Sequence, residues 1–456
     1  MEIGYKEVIV ILGVLLLLLP IFFERIYDDE AIYWKLSNSI SEEGISRVAS
    51  LNRMPLAFLI VSPLLLINDS IFVPRVISAI LAIASALLIF EIVKLHSKEE
   101  AAFISSMLFI FSFQTIRFGT RFYLDIYGVF FFLLTIYFIK KNRIRLAGLS
   151  FAFAILSREL WLGLYPFMLL YVWRDRKPAR QFFLLSIIPL ILFLAYLQLT
   201  SGIGTYLSNS GFSQVSSIPD DLPDIPRYLF QSWGEFFVIH FLTVVGFILW
   251  VMYERDGFLL LILPQFLLVS LVQGFILNGA LTQYAMGLQA SMALTAGPGI
   301  WAIWKKYMKG HSLKTWFLGA LLLQFFLFSY LATVLSLRGA LGMHDFGYWY
   351  DEKVISLLNR EANNETIAGF HGAFIKNAGE WIWWERGVSY IVKREPDWYV
   401  VVEPQLITFK AQPQDIKEVE LYKVGPYIVF HSNPRGHLNE LIEPNKNFSK
   451  WVLRSV

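Results

Sequence analysis

Three consecutive carboxylates, Asp28, Asp29 and Glu30, follow the first long apolar segment of the chain, and Tyr33 and Trp34 come soon after them. A carboxylate at such a boundary can take a proton from a hydroxyl group, which makes this run a candidate for general-base chemistry. The same residues can form the acidic first turn of an interfacial helix, which the helix dipole favours. Asp28 and Glu30 fit this second interpretation better than Asp29 does.

A set of arginines is the second feature with chemical potential. In the loops assigned below to the exterior, before residue 235, the chain uses arginine almost exclusively, with Lys35 as the one lysine. A guanidinium group keeps its charge and can bind phosphate through two parallel hydrogen bonds. The set therefore indicates a phosphate site, although each arginine alone can equally pair with a carboxylate or a lipid head group. Its members are Arg25, Arg47, Arg53, Arg75, Arg117, Arg121, Arg158 and Arg227.

Two of these arginines stand beside carboxylates at the ends of apolar segments. The sequence RFYLD joins Arg121 to Asp125, and SREL joins Arg158 to Glu159. A charged side chain at the bilayer centre costs about 2.5–3.5 kcal/mol on the gentlest scale. These groups are therefore expected to face the helix bundle or a wet cavity, with Arg117 nearby. A simple ion pair between Arg121 and Asp125 at a helix end is the alternative.

The composition identifies the kind of protein that must position these residues. Of 456 residues, 56% are hydrophobic and 16% are charged, and the mean hydropathy is +0.53. The chain is therefore expected to be a polytopic membrane protein in the lipid bilayer. The absence of cysteine excludes disulfides and thiolate chemistry, and the seven histidines show no metal-ligand spacing. A net charge of +3 gives no indication of a nucleic-acid partner.

Apolar windows predict about eleven transmembrane helices. Short basic loops at 140–145, 174–180 and 305–314 are expected in the cytoplasm by the positive-inside rule. This assignment predicts a multi-pass protein of the cell membrane with a cytoplasmic N-terminus and an exterior C-terminal domain. The predicted spans are 7–24, 73–95, 100–118, 126–140, 144–157, 160–173, 181–200, 236–253, 258–276, 285–304 and 313–337.

Two domains are predicted: a transmembrane domain at 1–337 and a small soluble α/β domain at 338–456, both assigned from the change in composition. The exterior loop 25–72 belongs to the first. Within it, the stretch 52–67 is apolar but interrupted by prolines, which favours an interfacial or re-entrant segment. The loop 201–235 is rich in Gly, Ser and Pro and is expected to be flexible enough to cover a site.

Several short motifs in this order resemble the GT-C class of integral-membrane glycosyltransferases, in the branch of protein O-mannosyltransferases and lipid A aminoarabinose transferases. The resemblance covers residues 8–175 well and the remainder weakly. A later Arg-Tyr-x-x-Pro pattern is half present, because Tyr284 fits while Gln283 and Gly287 replace the arginine and the proline. The matching residues are Asp29, Glu30 and Tyr33, then Arg53 ahead of Pro55, Arg75 with Ser78, Arg121 with Asp125, and Arg158.

The resemblance implies inverting transfer of a sugar from a polyprenyl-phosphate donor to an acceptor hydroxyl at the exterior face. Asp29 is then the candidate base, Asp125 orients an arginine or the acceptor, and the donor phosphate is held by Arg53, Arg121 and Arg158. No cofactor or metal is implied, and the acceptor can be protein, lipid or glycan. Possible acceptor or sugar contacts are Glu30, Tyr33, Glu159 and Tyr284.

Two other functions stay open. The sequence EWIWWERG partly resembles a motif of oligosaccharyltransferase catalytic subunits, which are metal-dependent; it keeps Trp383, Trp384, Glu385 and Gly387 but lacks the tyrosine. A lipid or sugar transporter or flippase is the alternative from a different class. Transporters commonly contain internal repeats and interrupted helices, and no convincing repeat relates the two halves of this chain.

Overall fold

A computed structural model describes most of the chain as two compact units of unequal size. One unit comprises Met1–Ile21 with Leu36–Ala332, and the other comprises Phe22–Lys35 with Thr333–Val456. The predicted division between residues 337 and 338 lies outside the described residues. These are 4–22, 26, 28–50, 53–173, 176–200, 202–204, 236, 240–253, 258–275, 284–307, 348–375, 378–382, 397–402, 407–409, 421–424, 427–431 and 442–444.

The larger unit is helical, and its helices follow the predicted apolar windows as far as residue 304. The window 313–337 lies outside the part that the structure describes. The α-helices in this region span Tyr5–Gly13, Asp28–Glu43 (which begins in the smaller unit), Leu56–Leu65, Phe72–Lys94, Glu99–Ile110, Phe113–Gly119, Leu124–Lys140, Ile144–Ser157, Tyr165–Val172, Arg176–Thr200, Phe241–Tyr253, Leu259–Phe275 and Ala285–Tyr307. Short 3₁₀ or π segments occupy Val14–Leu18, Pro20–Phe22, Ile45–Ser50 and Glu159–Leu164.

In the described part of the chain, three helical stretches are long and apolar enough to cross a membrane: Tyr5–Phe22, Phe72–Lys94 and Ala179–Thr200. The helices Glu99–Ile110 and Phe113–Gly119 meet at a bend of 57° and make a fourth if they form one broken span. Helix Ala285–Tyr307 has 23 residues but does not pass the same hydropathy test. Shorter than the roughly 20 residues that cross a bilayer directly are the apolar helices Leu56–Leu65, Ile144–Ser157, Glu159–Val172, Phe241–Met252 and Leu259–Ser270. A mostly helical fold is therefore established, while the count of eleven stays a prediction.

Small residues allow the helix Ala285–Tyr307 to pack closely against Phe241–Tyr253 and Glu99–Ile110. A Cβ atom at Gly297 would lie 2.2 Å from the Ala101 carbonyl oxygen, and one at Gly299 would lie 2.1 Å from the Gly246 carbonyl oxygen. Between helices in lipid, association depends on such close van der Waals packing. The glycines of this helix therefore fix its place in the bundle.

The smaller unit combines helices with a mixed sheet. Its strands are β1 Thr366–Ala368, β2 Glu380–Ile382, β3 Trp398–Val402, β4 Ile407–Phe409, β5 Leu421–Val424, β6 Tyr427–His431 and β7 Ile442–Pro444. Helix Tyr348–Glu361 packs beside a five-stranded sheet of order β2-β1-β3-β6-β5, and β4 and β7 form a separate pair. Strand β1 is parallel to β2 and β3, whereas β6 is antiparallel to β3 and β5.

Candidate active site

Arg158 and Asp125 form a buried ion pair in the larger unit. The Arg158 Nε atom lies 3.4 Å from Asp125 Oδ1, and the side chains are 3% and 6% exposed. Asp125 lies in the first turn of the helix Leu124–Lys140, and Arg158 directly follows the last residue of Ile144–Ser157. The helix dipoles favour an anion at the first position and a cation at the second. The contact between Asp125 and Arg158 joins two residues that the sequence did not link, while a simple ion pair between Arg121 and Asp125 stays the alternative that the sequence left open.

Tyr284 completes this group from a third helix. The Arg158 guanidinium carbon lies 4.6 Å from the centre of the Tyr284 ring, which stands directly before the helix Ala285–Tyr307. Such a cation–π contact fixes the plane of the guanidinium group. Three predicted site residues from three separate helix ends therefore meet at one place.

A small cavity of about 20 Å³ lies beside the ion pair. Asp125 and Tyr284 contribute to its wall, and the remaining lining is largely apolar with one amide side chain. A volume of this size holds about one water molecule, so the cavity marks a polar edge in a mostly apolar wall and is much smaller than a pocket for a whole ligand. The other lining residues are Val129, Leu160, Trp161, Leu164, Gln265, Leu268, Val269 and Gly287.

Trp161 is held in this wall by two glycines and a stacked ring. A Cβ atom at Gly128 would lie 2.1 Å from Trp161 Nε1, and one at Gly287 would lie 2.9 Å from Trp161 Cη2. The Trp161 and Phe132 rings stack with their centres 4.6 Å apart. Gly287, which departs from the proline of the resembled motif, therefore leaves the space that the indole ring occupies.

Gln265 and Ser291 link two helices behind the cavity. Gln265 Nε2 donates a hydrogen bond of 2.6 Å to Ser291 Oγ, and Ser291 Oγ in turn donates to the Gly287 carbonyl oxygen at 3.0 Å. Both side chains are buried. The sequence analysis did not predict Trp161, Gln265 or Ser291 as part of this wall. A glutamine inside an apolar span is the sequence signal that could have indicated Gln265, because a polar side chain there needs a hydrogen-bond partner.

The other predicted arginines have diverse surroundings. Arg121 is buried four residues before Asp125, and Arg53 is half-buried before the helix Leu56–Leu65. Arg75 is fully buried and donates from Nη1 to the Ile21 carbonyl oxygen at 3.0 Å, so it ties the end of the first span to the second. Arg117 lies with its guanidinium carbon 5.4 Å from the centre of the Phe113 ring.

Arg47 shows what an ordinary surface pair looks like in this protein. It bonds Glu43 with 2.5 Å between Nε and Oε2, and both side chains are about half exposed. The hydrogen bond to Glu43 raises the pKa of the Arg47 guanidinium. This solvent-exposed pair contrasts with the buried pair of Arg158 and Asp125.

The predicted acidic residues of the first loop belong to the smaller unit. Asp29 is partly exposed in the first turn of the helix Asp28–Glu43, whereas Glu30 and Tyr33 are buried. Glu159 begins the 3₁₀ segment Glu159–Leu164 of the larger unit, with one carboxylate oxygen buried. Across the residues with described positions, no group of three or more His, Asp and Glu side chains is arranged to hold a metal ion.

Comparisons with known proteins agree with this architecture. Residues 52–201 match the family model of dolichyl-phosphate-mannose-protein mannosyltransferases. A structure of ArnT from Cupriavidus metallidurans bound to undecaprenyl phosphate superposes with a TM-score of 0.60 and 10% identity, covering 94% of this chain and 98% of that one. The chain has the GT-C fold. The apo state of the same ArnT gives a TM-score of 0.58 at 11% identity, with the same coverage.

A second GT-C protein is also similar in structure. The Archaeoglobus fulgidus oligosaccharyltransferase in complex with Zn and sulfate has a TM-score of 0.51 and 12% identity, covering 83% of this chain and 62% of that one. A search among curated proteins returned no match. The predicted resemblance to GT-C glycosyltransferases is therefore confirmed.

The family-model match covers only part of the site that was predicted for this chain. It includes Arg53, Arg121, Asp125, Arg158 and Glu159. The first-loop residues Asp29, Glu30 and Tyr33 precede it, and Tyr284 follows it. The motif residues Trp383, Trp384, Glu385 and Gly387 lie outside the described part of the chain.

Proposed function

We propose that this protein is a glycosyltransferase that moves a sugar from a polyprenyl-phosphate donor to an acceptor hydroxyl at the exterior face of the membrane, with inversion at the sugar carbon. The observation that carries the proposal is the buried group of Arg158, Asp125 and Tyr284 at the edge of the cavity. The ArnT structure with bound undecaprenyl phosphate supports a donor of this chemical class.

The buried arginine supplies what departure of a phosphate requires. When the bond between the sugar carbon and the phosphate oxygen breaks, negative charge grows on the phosphate. A cation already fixed in orientation stabilises that charge without reorganising. Asp125 holds Arg158 at Nε, and Tyr284 holds its face, so the guanidinium is pre-oriented in this way. Arg53 and Arg121 are proposed as further phosphate ligands.

Asp29 is the proposed base. In the proposed reaction, the acceptor hydroxyl transfers its proton to the Asp29 carboxylate while its oxygen bonds to the sugar carbon and the phosphate leaves with the bonding electrons. Asp29 is partly exposed, as a base for a water-borne acceptor needs to be, while its neighbour Glu30 is buried. Tyr33, Glu30, Glu159 and Tyr284 are kept as proposed sugar or acceptor contacts.

The experiment that tests this function measures turnover of radiolabelled polyprenyl-phosphate sugars by purified protein in lipid. Release of free polyprenyl phosphate together with a labelled acceptor is the expected result with one donor. If no donor of the panel binds, the buried arginine serves another anion and the transferase proposal is wrong. Movement of an intact donor across sealed vesicles without release of phosphate would favour the transporter alternative.

The oligosaccharyltransferase-like alternative is favoured by one observation, the structural similarity to the Archaeoglobus fulgidus enzyme. It predicts a divalent metal in turnover and an oligosaccharide on the donor. The donor panel therefore includes both monosaccharide and oligosaccharide lipids, and each is assayed with and without a chelator.

A further inference from the structure

The smaller unit contains a fully buried carboxylate with three hydrogen-bond donors. Asp351 Oδ1 accepts from the Tyr427 hydroxyl at 2.6 Å and lies 2.8 Å from His371 Nε2, while Asp351 Oδ2 accepts from the Ile26 amide at 2.8 Å. Both Asp351 and His371 are 0% exposed. A buried carboxylate is costly unless its oxygens are hydrogen-bonded, so each of these contacts matters for its presence.

The contact to Ile26 joins parts of the chain that are 325 residues apart. Asp351 lies in the first turn of the helix Tyr348–Glu361, where the helix dipole favours an anion. Ile26 lies two residues before the helix Asp28–Glu43 begins. The carboxylate therefore holds the main chain at the entry to the helix that carries Asp29.

A second set of contacts fixes the rotation of the same helix. Trp34 stacks on Phe374 with ring centres 4.3 Å apart, and Ala31 packs with Ile26 and Ala373 in one buried cluster. At 100° per residue, Ala31 and Trp34 lie on one face of the helix. This face and the Ile26 amide together determine both the position and the rotation of the first turns.

Asp29 lies on the opposite side of this anchored helix. By helical periodicity it is displaced by roughly 170° from the direction midway between Ala31 and Trp34, and it shares its own side with Tyr33 one turn later. Any change in rotation at the start of the helix would therefore redirect the Asp29 carboxylate.

We propose that Asp351 is a positioning residue for Asp29. Its buried carboxylate holds the Ile26 amide, His371 and Tyr427 keep that carboxylate in place, and the packing of Ala31 and Trp34 transmits the constraint. The inference rests on the proposed function for its catalytic consequence, while the positioning itself can be measured without turnover.

The test uses the full-length protein in lipid and two substitutions that remove the contact from opposite ends. Asp351→Ala removes the acceptor, and Ile26→Pro removes the donor while leaving the carboxylate with His371 and Tyr427. The control for the first is Asp397→Ala, because Asp397 Oδ2 accepts from the Thr366 amide at 2.8 Å in the same unit. The control for the second is Ile26→Val.

Asp351→Asn is the conservative variant. Its oxygen can accept from the Ile26 amide while its NH₂ group donates to His371 Nε2 in the other tautomer and to the Tyr427 oxygen. We expect it to retain most of the turnover. This rescue separates the hydrogen bond from the negative charge of Asp351.

Two readouts are taken, of which one is independent of activity. The chain has no cysteine, so a thiol introduced as Asp29→Cys is a single probe, and its rate of reaction with a maleimide reports its direction and exposure. In the Asp29→Cys background, we expect Asp351→Ala and Ile26→Pro to change the labelling rate several-fold. In proteins that retain Asp29, we expect the same two substitutions to lower kcat about tenfold or more, with donor affinity unchanged. The controls should change neither quantity.

Unchanged labelling and kcat in folded Asp351→Ala or Ile26→Pro would overturn the inference. If Asp29→Asn inactivates the protein, and Asp351→Ala or Ile26→Pro changes the labelling rate but leaves kcat normal, then Asp351 positions the helix without affecting catalysis. That result would overturn the catalytic part of the inference. If Asp29→Asn proves fully active, the proposed base is wrong, and the labelling rates still decide whether Asp351 positions the segment. Should Asp351→Ala fail to fold, Ile26→Pro with its valine control gives the same decision.

Discussion

The Arg158 Nε and Asp125 Oδ1 atoms are 3.4 Å apart, and almost no solvent reaches either side chain. Asp125 lies at the start of one helix, and Arg158 follows the end of the next. Removing one partner of a buried ion pair leaves the other charge uncompensated, which commonly costs about 3–5 kcal/mol. The pair is therefore stable only as a unit. Tyr284 and the small cavity adjoin the pair, and in the proposed function this is the group that meets the donor phosphate.

Substitution of Arg158 is expected to weaken donor binding. Arg158→Ala should reduce the affinity for a polyprenyl-phosphate sugar by about 10- to 100-fold, because it removes charge-assisted hydrogen bonds worth about 1.5–3 kcal/mol. Arg158→Lys should restore affinity only in part, since an ammonium group lacks the planar fork. Equilibrium binding of radiolabelled donor measures both.

Arg47→Ala is the matched control for that experiment. It removes a half-exposed partner of Glu43, and such surface pairs contribute about 1 kcal/mol or less. Donor affinity should stay unchanged. An equal loss of affinity in the two alanine variants would show that Arg158 acts only through general charge.

Substitution of Asp29 should affect the chemical step alone. Asp29→Asn keeps the shape of the side chain but cannot take the acceptor proton, so we expect kcat to fall by about 10²- to 10⁴-fold with donor binding largely intact. Single-turnover transfer and donor binding are measured on the same preparation. Asp28→Asn is the neighbouring control and should retain turnover; near-normal transfer by Asp29→Asn would remove this residue from the mechanism.

Gly287→Ala tests the packing of the cavity wall by the sign of its effect. In an open helical position, alanine stabilises relative to glycine by about 0.8–1.0 kcal/mol. Here the added Cβ would lie 2.9 Å from the Trp161 ring, and overpacking of this kind costs about 1–3 kcal/mol. We therefore expect a lower thermal midpoint and reduced turnover.

A smaller ring should relieve that clash. The double variant Gly287→Ala with Trp161→Phe should lose less unfolding free energy than the sum of the losses in the two single variants, because the two changes act on one contact. A double-mutant cycle measures this difference. Gly204→Ala, where the added Cβ meets no atom within 4 Å, is the control for alanine alone. Stabilisation by Gly287→Ala would contradict the described position of Trp161.

Chelation separates the two glycosyltransferase mechanisms considered for this chain. If arginines neutralise the phosphate, an excess of EDTA should leave kcat and donor KM within about twofold of their untreated values, since no step needs a divalent cation. Turnover after dialysis against the chelator is the measurement. Loss of activity that returns with added Mn²⁺ or Mg²⁺ would favour the oligosaccharyltransferase-like alternative.

The sequence by itself determined the helices and the residue types of the candidate site. Length, period and hydropathy are local properties, so the apolar windows predicted the helices up to Ala285–Tyr307. Asp125 and Arg158 were recognised as candidate site residues because a charged group beside an apolar span is costly unless it is paired or faces a wet cavity. Tyr284 was identified only through a resemblance, since a single tyrosine carries no local signal.

The tertiary structure decided which of these residues meet. Sequence proximity placed Arg121 near Asp125 and Glu159 near Arg158, and folding in addition brings Asp125 to Arg158 and adds Tyr284 from 126 positions further along the chain. The Ile26 amide and the Asp351 carboxylate, 325 residues apart, are a stronger case. Such pairs depend on how whole helices and sheets pack, and hydrophobic period specifies the face that an element buries without specifying the element that covers it.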